Sequence, residues 1–184
     1  NEVALTEVQK QMTEGVFKSQ IPEIEKTNFI VMFEAIGETS QPIVITQNEF
    51  MRRMKDMSAL QPGMMNFYGE MPDSYSLIIN TENPVSKKVV EQIENGCAQE
   101  VMPIVDNIAK LNSEIETLKA SHQGKKDDEI SVSEKEDIKA KENEISELRK
   151  KENDILVKYG SENNLVKQLI DLALLSNNML KGEA

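Results

Sequence analysis

The sequence contains no tryptophan, one cysteine (Cys97) and one histidine (His122). A single cysteine excludes an internal disulfide, which fits a reducing cytoplasm. A single histidine excludes a histidine-rich metal site, and there is no G-x-S-x-G motif to accompany it in a hydrolase. Because His122 lies in a polar stretch beside Gly124, the sequence predicts a solvated loop residue there.

The chain also has little positive charge and no long apolar run. Its 32 Asp and Glu residues outnumber 21 Lys and Arg residues, giving a formal net charge of -11. Such a field repels nucleic acid and anionic lipid. No stretch approaches the roughly 18 apolar residues of a membrane span, and residues 1–4 do not resemble a signal peptide. We therefore expect a cytoplasmic protein with no nucleic-acid partner and no membrane partner.

Catalytic and phosphate-binding motifs are missing as well. The sequence has no Walker loop, no G-x-G-x-x-G and no H-E-x-x-H, and each of these motifs carries a specific chemistry. Its many carboxylates include no distinct acid and base pair. We therefore expect no catalytic residue, no metal site and no cofactor site in this chain, with an enzyme of unknown type as an alternative.

Residues 1–95 contain both helical and strand patterns. Capping boxes at Thr6-x-x-Gln9 and Thr46-x-x-Glu49 predict helices over residues 6–19 and 46–60. Apolar runs predict strands at residues 29–36, 43–45 and 75–79, and Asn83 with Pro84 marks the start of another helix. Such a mixture predicts a small α+β domain with helices packed on a short sheet.

Residues 96–160 have a different pattern. From Ile104 to Leu118 the apolar residues recur at spacings of four and three, which is a heptad seam. Residues 121–128 interrupt this seam, and a capping box at Ser133-x-x-Glu136 begins a second one that ends near Tyr159. The pattern predicts a long antiparallel coiled-coil hairpin with arms of about 40 Å.

Residues 161–184 contain the most apolar predicted helix, over residues 165–180. Its apolar residues form two adjoining stripes, which cover more than the arc of about 100° that one neighbour buries. The helix therefore needs partners on two sides, which favours a dimerisation helix. An ordinary core helix of the same domain is the alternative.

Methionine is unevenly distributed, since six of the ten methionines lie between Met51 and Met71. In the helix predicted over residues 46–60, Phe50, Met54 and Met57 share one face. On this pattern alone, packing against the sheet is favoured, because apolar stripes usually face a core. A surface that contacts varied partners is the alternative, because methionine side chains are flexible and polarizable.

Four segments occur in an order that resembles a known family. They are GETSQPIV at residues 37–44, Phe50-x-Arg52-x-Met54-Lys55, LIIN at residues 77–80 and LIDLALLS at residues 169–176. Together they resemble the C-terminal domain of the heat shock protein 90 chaperone family, in its bacterial HtpG branch. Phe50 stands where that family usually has methionine. The hairpin is similar to a coiled-coil insertion in Bacteroides-type members.

The resemblance implies a non-catalytic part of an ATP-dependent chaperone of the stress response. ATP and magnesium would bind in an N-terminal domain that lies outside this chain, and the family's last helix would follow residue 184. The implied partners are a second protomer in a homodimer, partly folded client proteins and co-chaperones. The implied client-binding residues are Phe50, Met51, Met54, Met57, Leu60, Met64, Met65, Phe67 and Tyr68. The implied dimerisation residues are Leu165, Leu169, Ile170, Leu172, Ala173, Leu175 and Met179.

A structural coiled-coil adaptor or scaffold is the alternative to this reading. In an adaptor the hairpin would be the working part, and the α+β unit would serve as its base. The mixed charges along residues 139–151 are typical of a solvated surface. Residue pattern alone therefore leaves the role of the hairpin open.

Overall fold

A computed structural model describes residues 4–60 and 70–179 of the chain. The first helix, α1 (Glu7–Gln20), begins at the predicted capping box. The amide of Thr6 donates to Gln9 Oε1 at 2.8 Å, and the amide of Gln9 donates to Thr6 Oγ1 at 3.1 Å. These bonds satisfy amides that have no partner within the helix, and they confirm the predicted start of α1.

Three strands form one sheet: β1 (Thr27–Glu34), β2 (Ile43–Gln47) and β3 (Asp73–Asn80). The central strand is β3, which runs parallel to β1 and antiparallel to β2. Leu77 lies at the middle of the sheet, where it pairs with Val31 on one side and Ile45 on the other. The three predicted strands are confirmed, with ends shifted by one or two residues.

Helix α2 (Glu49–Leu60) follows β2 directly. The capping box predicted at Thr46 is wrong, because Thr46 is a strand residue that pairs with Ser76. Asn48 begins the helix instead, since the amide of Met51 donates to Asn48 Oδ1 at 3.2 Å. Strand pairing has thus taken priority over a local capping motif, and α2 starts three residues later than predicted.

Helices α3 (Pro84–Ser121) and α4 (Val132–Glu162) form the predicted hairpin. A short 3-10 turn at Asp127–Glu129 lies in the connection between them. Along the arms, a second cluster of apolar residues lies apart from the main core. It consists of Leu111, Ile115 and Ile145, with Ile108, Ile138 and Leu148 packed against them.

The start of α4 differs from the prediction. Ser131 is the cap, because its Oγ accepts from the amide of Glu134 at 3.2 Å and its amide donates to Glu134 Oε2 at 3.1 Å. The box predicted at Ser133 and Glu136 is therefore wrong, since both residues already lie inside the helix. Two overlapping matches to the same short motif occur here, and the structure uses the earlier one.

Helix α3 continues without a break through residue 96, where the hairpin is predicted to begin. Its first half lies in the main core, with Ile93, Cys97 and Val101 fully buried. Its second half forms one arm of the hairpin. The proposed division into residues 1–95, 96–160 and 161–184 stays a prediction. No interruption of α3 marks the first of these boundaries.

The main core lies between the sheet and the helices α1, α3, α4 and α5 (Asn164–Ser176). The last helix begins at Asn163, whose Oδ1 accepts from the amide of Val166 at 3.1 Å. The predicted fold class, an α+β structure with helices on a small sheet and a long hairpin, is confirmed. The largest fully buried apolar side chains are Phe17, Met12, Leu77, Ile79, Ile93, Ile170 and Leu174.

The base of α4 approaches its neighbours closely at three glycines, of which Gly160 lies on α4 itself and faces Ser19 of α1. Gly96 of α3 faces the ring of Tyr159, and Gly15 of α1 faces Leu156. A Cβ atom at either glycine would collide with the side chain that it faces. The hydroxyl of Tyr159 also donates to the carbonyl of Gln92 at 3.0 Å. Because α4 packs on both α1 and α3, the hairpin is anchored in the body of the protein.

One acidic side chain is buried at this anchor. Glu152 is only 4% exposed, and its Oε1 accepts a hydrogen bond from Gln11 Nε2 at 2.8 Å. Burial raises the pKa of the Glu152 carboxyl, although Arg149 and the bond from Gln11 act in the opposite direction. The folded protein therefore binds a proton at Glu152 more tightly than the unfolded chain does.

This shift predicts how stability depends on pH. A carboxyl with a raised pKa in the folded state makes folding less favourable as the pH rises above its ordinary range near 4.5. Glu152→Gln keeps an acceptor for Gln11 and removes this cost. We expect the melting temperature of the variant to exceed that of the wild type by about 2–4 °C at pH 8, with a smaller difference at pH 5.

Thermal unfolding followed by circular dichroism at several pH values measures this difference. The control is Glu147→Gln, which changes an exposed carboxyl on the same helix. A difference for Glu152→Gln that does not grow with pH, or that matches the control, would contradict the prediction.

Candidate functional site

Helix α2 presents a largely exposed apolar stripe. Phe50 is 63% exposed, Met57 is 52% exposed and Leu60 is 81% exposed, while Met51 and Met54 are half-buried. Packing of the whole stripe against the sheet was the interpretation that pattern alone favoured. The exposures contradict it, because only part of the stripe is covered. Exposed apolar groups that lie together are typical of surfaces that bind other molecules.

Few contacts hold α2 against the sheet. Ser58 is its only buried residue, and its Oγ donates to the carbonyl of Lys55 at 2.7 Å within the helix. Lys55 Nζ lies 2.8 Å from Asp73 Oδ1, at the first residue of β3. This ion pair links α2 to the start of β3.

Four of the predicted client-binding residues, Met64, Met65, Phe67 and Tyr68, lie outside the described residues. The five others are all on α2, within one helix of 12 residues. Of these five, Phe50, Met57 and Leu60 are exposed, and Met51 and Met54 are half-buried. Their role in binding clients stays a prediction.

The predicted dimerisation residues, on α5 and at Met179 three residues beyond its end, fall into three groups. Leu169, Ile170 and Ala173 are buried in the core of this chain. Leu172 is 62% exposed and Leu175 is 50% exposed. Leu165 and Met179 are partly buried and pack against the core. The helix thus has the two apolar sides that its sequence predicts, one against its own domain and one in solvent.

Two of the family-like segments meet at a buried amide. Asn80, at the end of β3, is fully buried. Its Nδ2 donates to the carbonyl of Gly37 at 2.8 Å, and its Oδ1 accepts from the amides of Ile36 and Glu82 at 3.3 Å and 3.1 Å. Asn83 Nδ2 donates to the carbonyl of Ser40 at 2.8 Å. The GETSQPIV and LIIN segments therefore serve to hold the connection between β1 and β2.

His122 lies in the loop that follows α3, as predicted, but the prediction that it is solvated is wrong. Its side chain is only 9% exposed, at the end of α3, and its Nε2 lies 3.7 Å from Glu134 Oε1. Hydrogen bonds from Ser131, together with nearby His122 and Lys125, lower the pKa of the Glu134 carboxyl. The sequence gives no sign of this contact, because it forms only when α4 folds back antiparallel to α3.

The remaining features of the described chain are the Cys97 thiol, the possible metal ligands and the hydropathy of the helices. Burial, with a smaller effect from Glu100, raises the pKa of the Cys97 thiol to about 11, so the thiol stays protonated at neutral pH. Within residues 4–60 and 70–179, no three His, Cys, Asp or Glu side chains come together as metal ligands. None of the helices in the described part of the chain is long and apolar enough to cross a membrane.

An α+β unit with apolar side chains exposed on two of its helices is typical of a protein that binds other polypeptides.

Curated relatives identify the family. Chaperone protein HtpG of Bacteroides thetaiotaomicron is 43% identical over 184 residues, covering 100% of this chain and 27% of that protein. HtpG of Porphyromonas gingivalis is 44% identical over 183 residues, again 100% of this chain and 27% of the relative. HtpG of Bacteroides fragilis strain 638R is 42% identical over 170 residues, 92% of this chain and 25% of the relative.

The chain belongs to the HtpG chaperone family, and the resemblance seen in the sequence is confirmed. It spans about a quarter of the length of the curated relatives it matches. Because two of these matches extend over the whole chain, they include the hairpin. No protein-family model matches the chain, and no solved structure matches it.

The exposure of α2 predicts that its apolar residues contribute little to folding. We expect the double variant Phe50→Ser/Met57→Ser to change the free energy of unfolding by at most about 0.5 kcal/mol, as exposed substitutions do. The control Leu77→Ala removes a fully buried side chain and should cost about 2–5 kcal/mol. Urea unfolding measures both values. A loss above about 2 kcal/mol in the double variant would mean that the stripe belongs to the core.

Proposed function

We propose that this chain is the client-contacting and dimer-forming part of an HtpG chaperone. The observation that carries the proposal is the exposure of Phe50, Met57 and Leu60 on α2. Burying such side chains against a partner releases about 25 cal/mol per Å² of apolar surface. A partly folded client exposes apolar groups of its own and therefore gains from this contact.

The chemistry of α2 suits clients of varied sequence. Methionine has three rotatable bonds and a polarizable sulfur, so it adapts to side chains of different shape. Met51, Met54 and Met57 lie along one helix that has only one buried residue. A surface of this kind accepts many ligands with modest affinity, as a chaperone needs to do.

Dimerisation is the second part of the proposal. The buried side chains Leu169, Ile170 and Ala173 hold α5 on its own domain. The exposed side chains Leu172 and Leu175 are left to meet a second protomer. In this arrangement ATP and magnesium bind in another part of the longer chaperone, and co-chaperones are further partners of the full protein.

The client-binding proposal can be tested with a fluorescently labelled polypeptide that is reduced and carboxymethylated, so that it cannot fold. We expect Phe50→Ser/Met57→Ser to weaken its binding about tenfold, a loss of about 1.4 kcal/mol. The matched control is Val132→Ser, because Val132 is 70% exposed on the hairpin. Anisotropy titrations measure the dissociation constants. Equal binding by the double variant and the wild type would refute the role of α2.

A shortened hairpin distinguishes the chaperone from the adaptor. The deletion must spare Leu156, Val101 and Glu152, because these residues belong to the body. Replacing residues 107–149 with a short Gly/Ser loop meets this condition. Retained binding of the unfolded polypeptide supports the chaperone role of α2, whereas loss of binding with an unchanged melting temperature of the body supports the adaptor.

The dimer proposal predicts that Leu172→Glu/Leu175→Glu weakens the homodimer of the full-length chaperone at least about tenfold, since two charges replace apolar contacts. Light-scattering mass over a range of concentrations measures the change. Val157→Glu is the control, because Val157 is 41% exposed and lies on α4 rather than α5. A dimer unaffected by the α5 substitutions would place the interface elsewhere.

A further inference from the structure

On β1, one face of the sheet carries apolar side chains that are exposed to solvent, whereas Ile78 of β3 on the same face is buried. Ile30 is 52% exposed and Met32 is 40% exposed, both on β1. Met32 pairs with Ile78 on β3, and Ile78 pairs with Val44 on β2. The opposite face, which includes Val31, Leu77 and Ile45, lies in the main core. A short apolar row therefore crosses the outer face of the sheet and ends in solvent at β1.

The strand at this end of the row is also an edge. β1 pairs with β3 over the eight residues Thr27–Glu34, and the described residues place no further strand beside it. An edge strand has peptide groups that point away from its partner and can pair with another chain. Proteins usually protect such edges with lysine, proline or bulges. The sequence of β1, TNFIVMFE, has no lysine and no proline.

The charges within the three strands favour one kind of ligand at the Glu34 end of β1, whereas exposed Lys26 precedes its other end. None of the three strands contains lysine or arginine, and their two charged residues are Glu34 and Asp73. Asp73 is paired with Lys55, whereas Glu34 is exposed at the end of β1. The whole chain has a formal net charge of -11. A segment with a basic residue near one end is therefore electrostatically complementary to the edge.

We propose that the free edge of β1 binds an extended segment of an unfolded polypeptide as a fourth strand. The ligand has apolar residues at alternate positions, which pack beside Ile30 and Met32, and a lysine or arginine that faces Glu34. Main-chain hydrogen bonds supply sequence-independent affinity, and the alternating side chains supply selectivity. This site consists of residues other than those proposed on α2, and it rests on the proposed chaperone function for the nature of its ligand.

The proposal is tested with a labelled peptide of about nine residues, the length that spans an eight-residue strand. Its sequence alternates valine and threonine and ends in lysine. Two further peptides carry N-methyl groups on alternate residues, one on the even set and the other on the odd set. Because successive N–H groups of a strand point to opposite sides, one set faces β1 and the other faces solvent.

We expect the unmodified peptide to bind, and only one of the two methylated peptides to lose affinity, by at least about tenfold. Ile30→Lys should weaken binding by a similar factor, since lysine is a residue that protects edges. Val132→Lys, which changes a side chain 70% exposed on the hairpin, is the control and should leave binding unchanged. Glu34→Gln should reduce the affinity for the lysine peptide more than for its alanine counterpart. Each of these results supports strand addition.

Three outcomes overturn the inference. If the two methylated peptides bind equally well, the peptide does not bind as a strand. If Phe50→Lys abolishes binding and Ile30→Lys does not, the peptide occupies α2, and the proposed function stands without this site. If light scattering shows a dimer of the chain that the peptide dissociates, a second copy occupies the edge. Conversely, if Phe50→Ser/Met57→Ser leaves client binding intact while the edge still binds the peptide, the role of α2 fails and this inference stands.

Discussion

The contact of the base of α4 with α1 and α3 is the constraint on which the structure depends. Gly15 and Gly96 allow the three helix backbones to approach, and Leu156 and Tyr159 fill the space between them. Without this contact, α1 would lose a neighbour on the side away from the sheet. The hairpin would also lose its attachment to the body. The buried carboxyl of Glu152 lies at the same junction, so the strength of the attachment depends on a titratable group.

Much of the fold could be predicted from sequence periodicity. The three strands, the helix starts at Thr6 and Asn83, and the two arms of the hairpin follow from patterns that depend on a few neighbouring residues. The errors have a physical cause. The matches at Thr46 and Ser133 satisfy a short capping motif, but the sheet and the earlier cap at Ser131 determine where the helices begin. The continuity of α3 through Gly96 is not evident from sequence because glycine usually weakens a helix, whereas here its missing side chain makes room for Tyr159.

The candidate surfaces were only partly predictable. An amphipathic stripe has the same spacing whether it faces a core or solvent, so sequence alone could not decide the exposure of Phe50 and Met57. The wide apolar arc of α5 correctly indicated two apolar sides. Only the structure shows that Leu172 and Leu175 form the outer side. The outer face of the sheet gave no signal, because the apolar run around Ile30 and Met32 does not alternate.

The continuity of α3 also has a mechanical consequence. One continuous helix, with Pro103 in its interior, begins beside the sheet, passes through the core at Val101, and ends at the tip of the hairpin beside His122. The tip lies about 30 Å beyond Val101, at 1.5 Å per residue. A tilt of about 5° at the core therefore displaces the tip by about 3 Å over that length. Because the same helix forms the hairpin and part of the core, a force on the tip is transmitted to the helices that pack against the sheet.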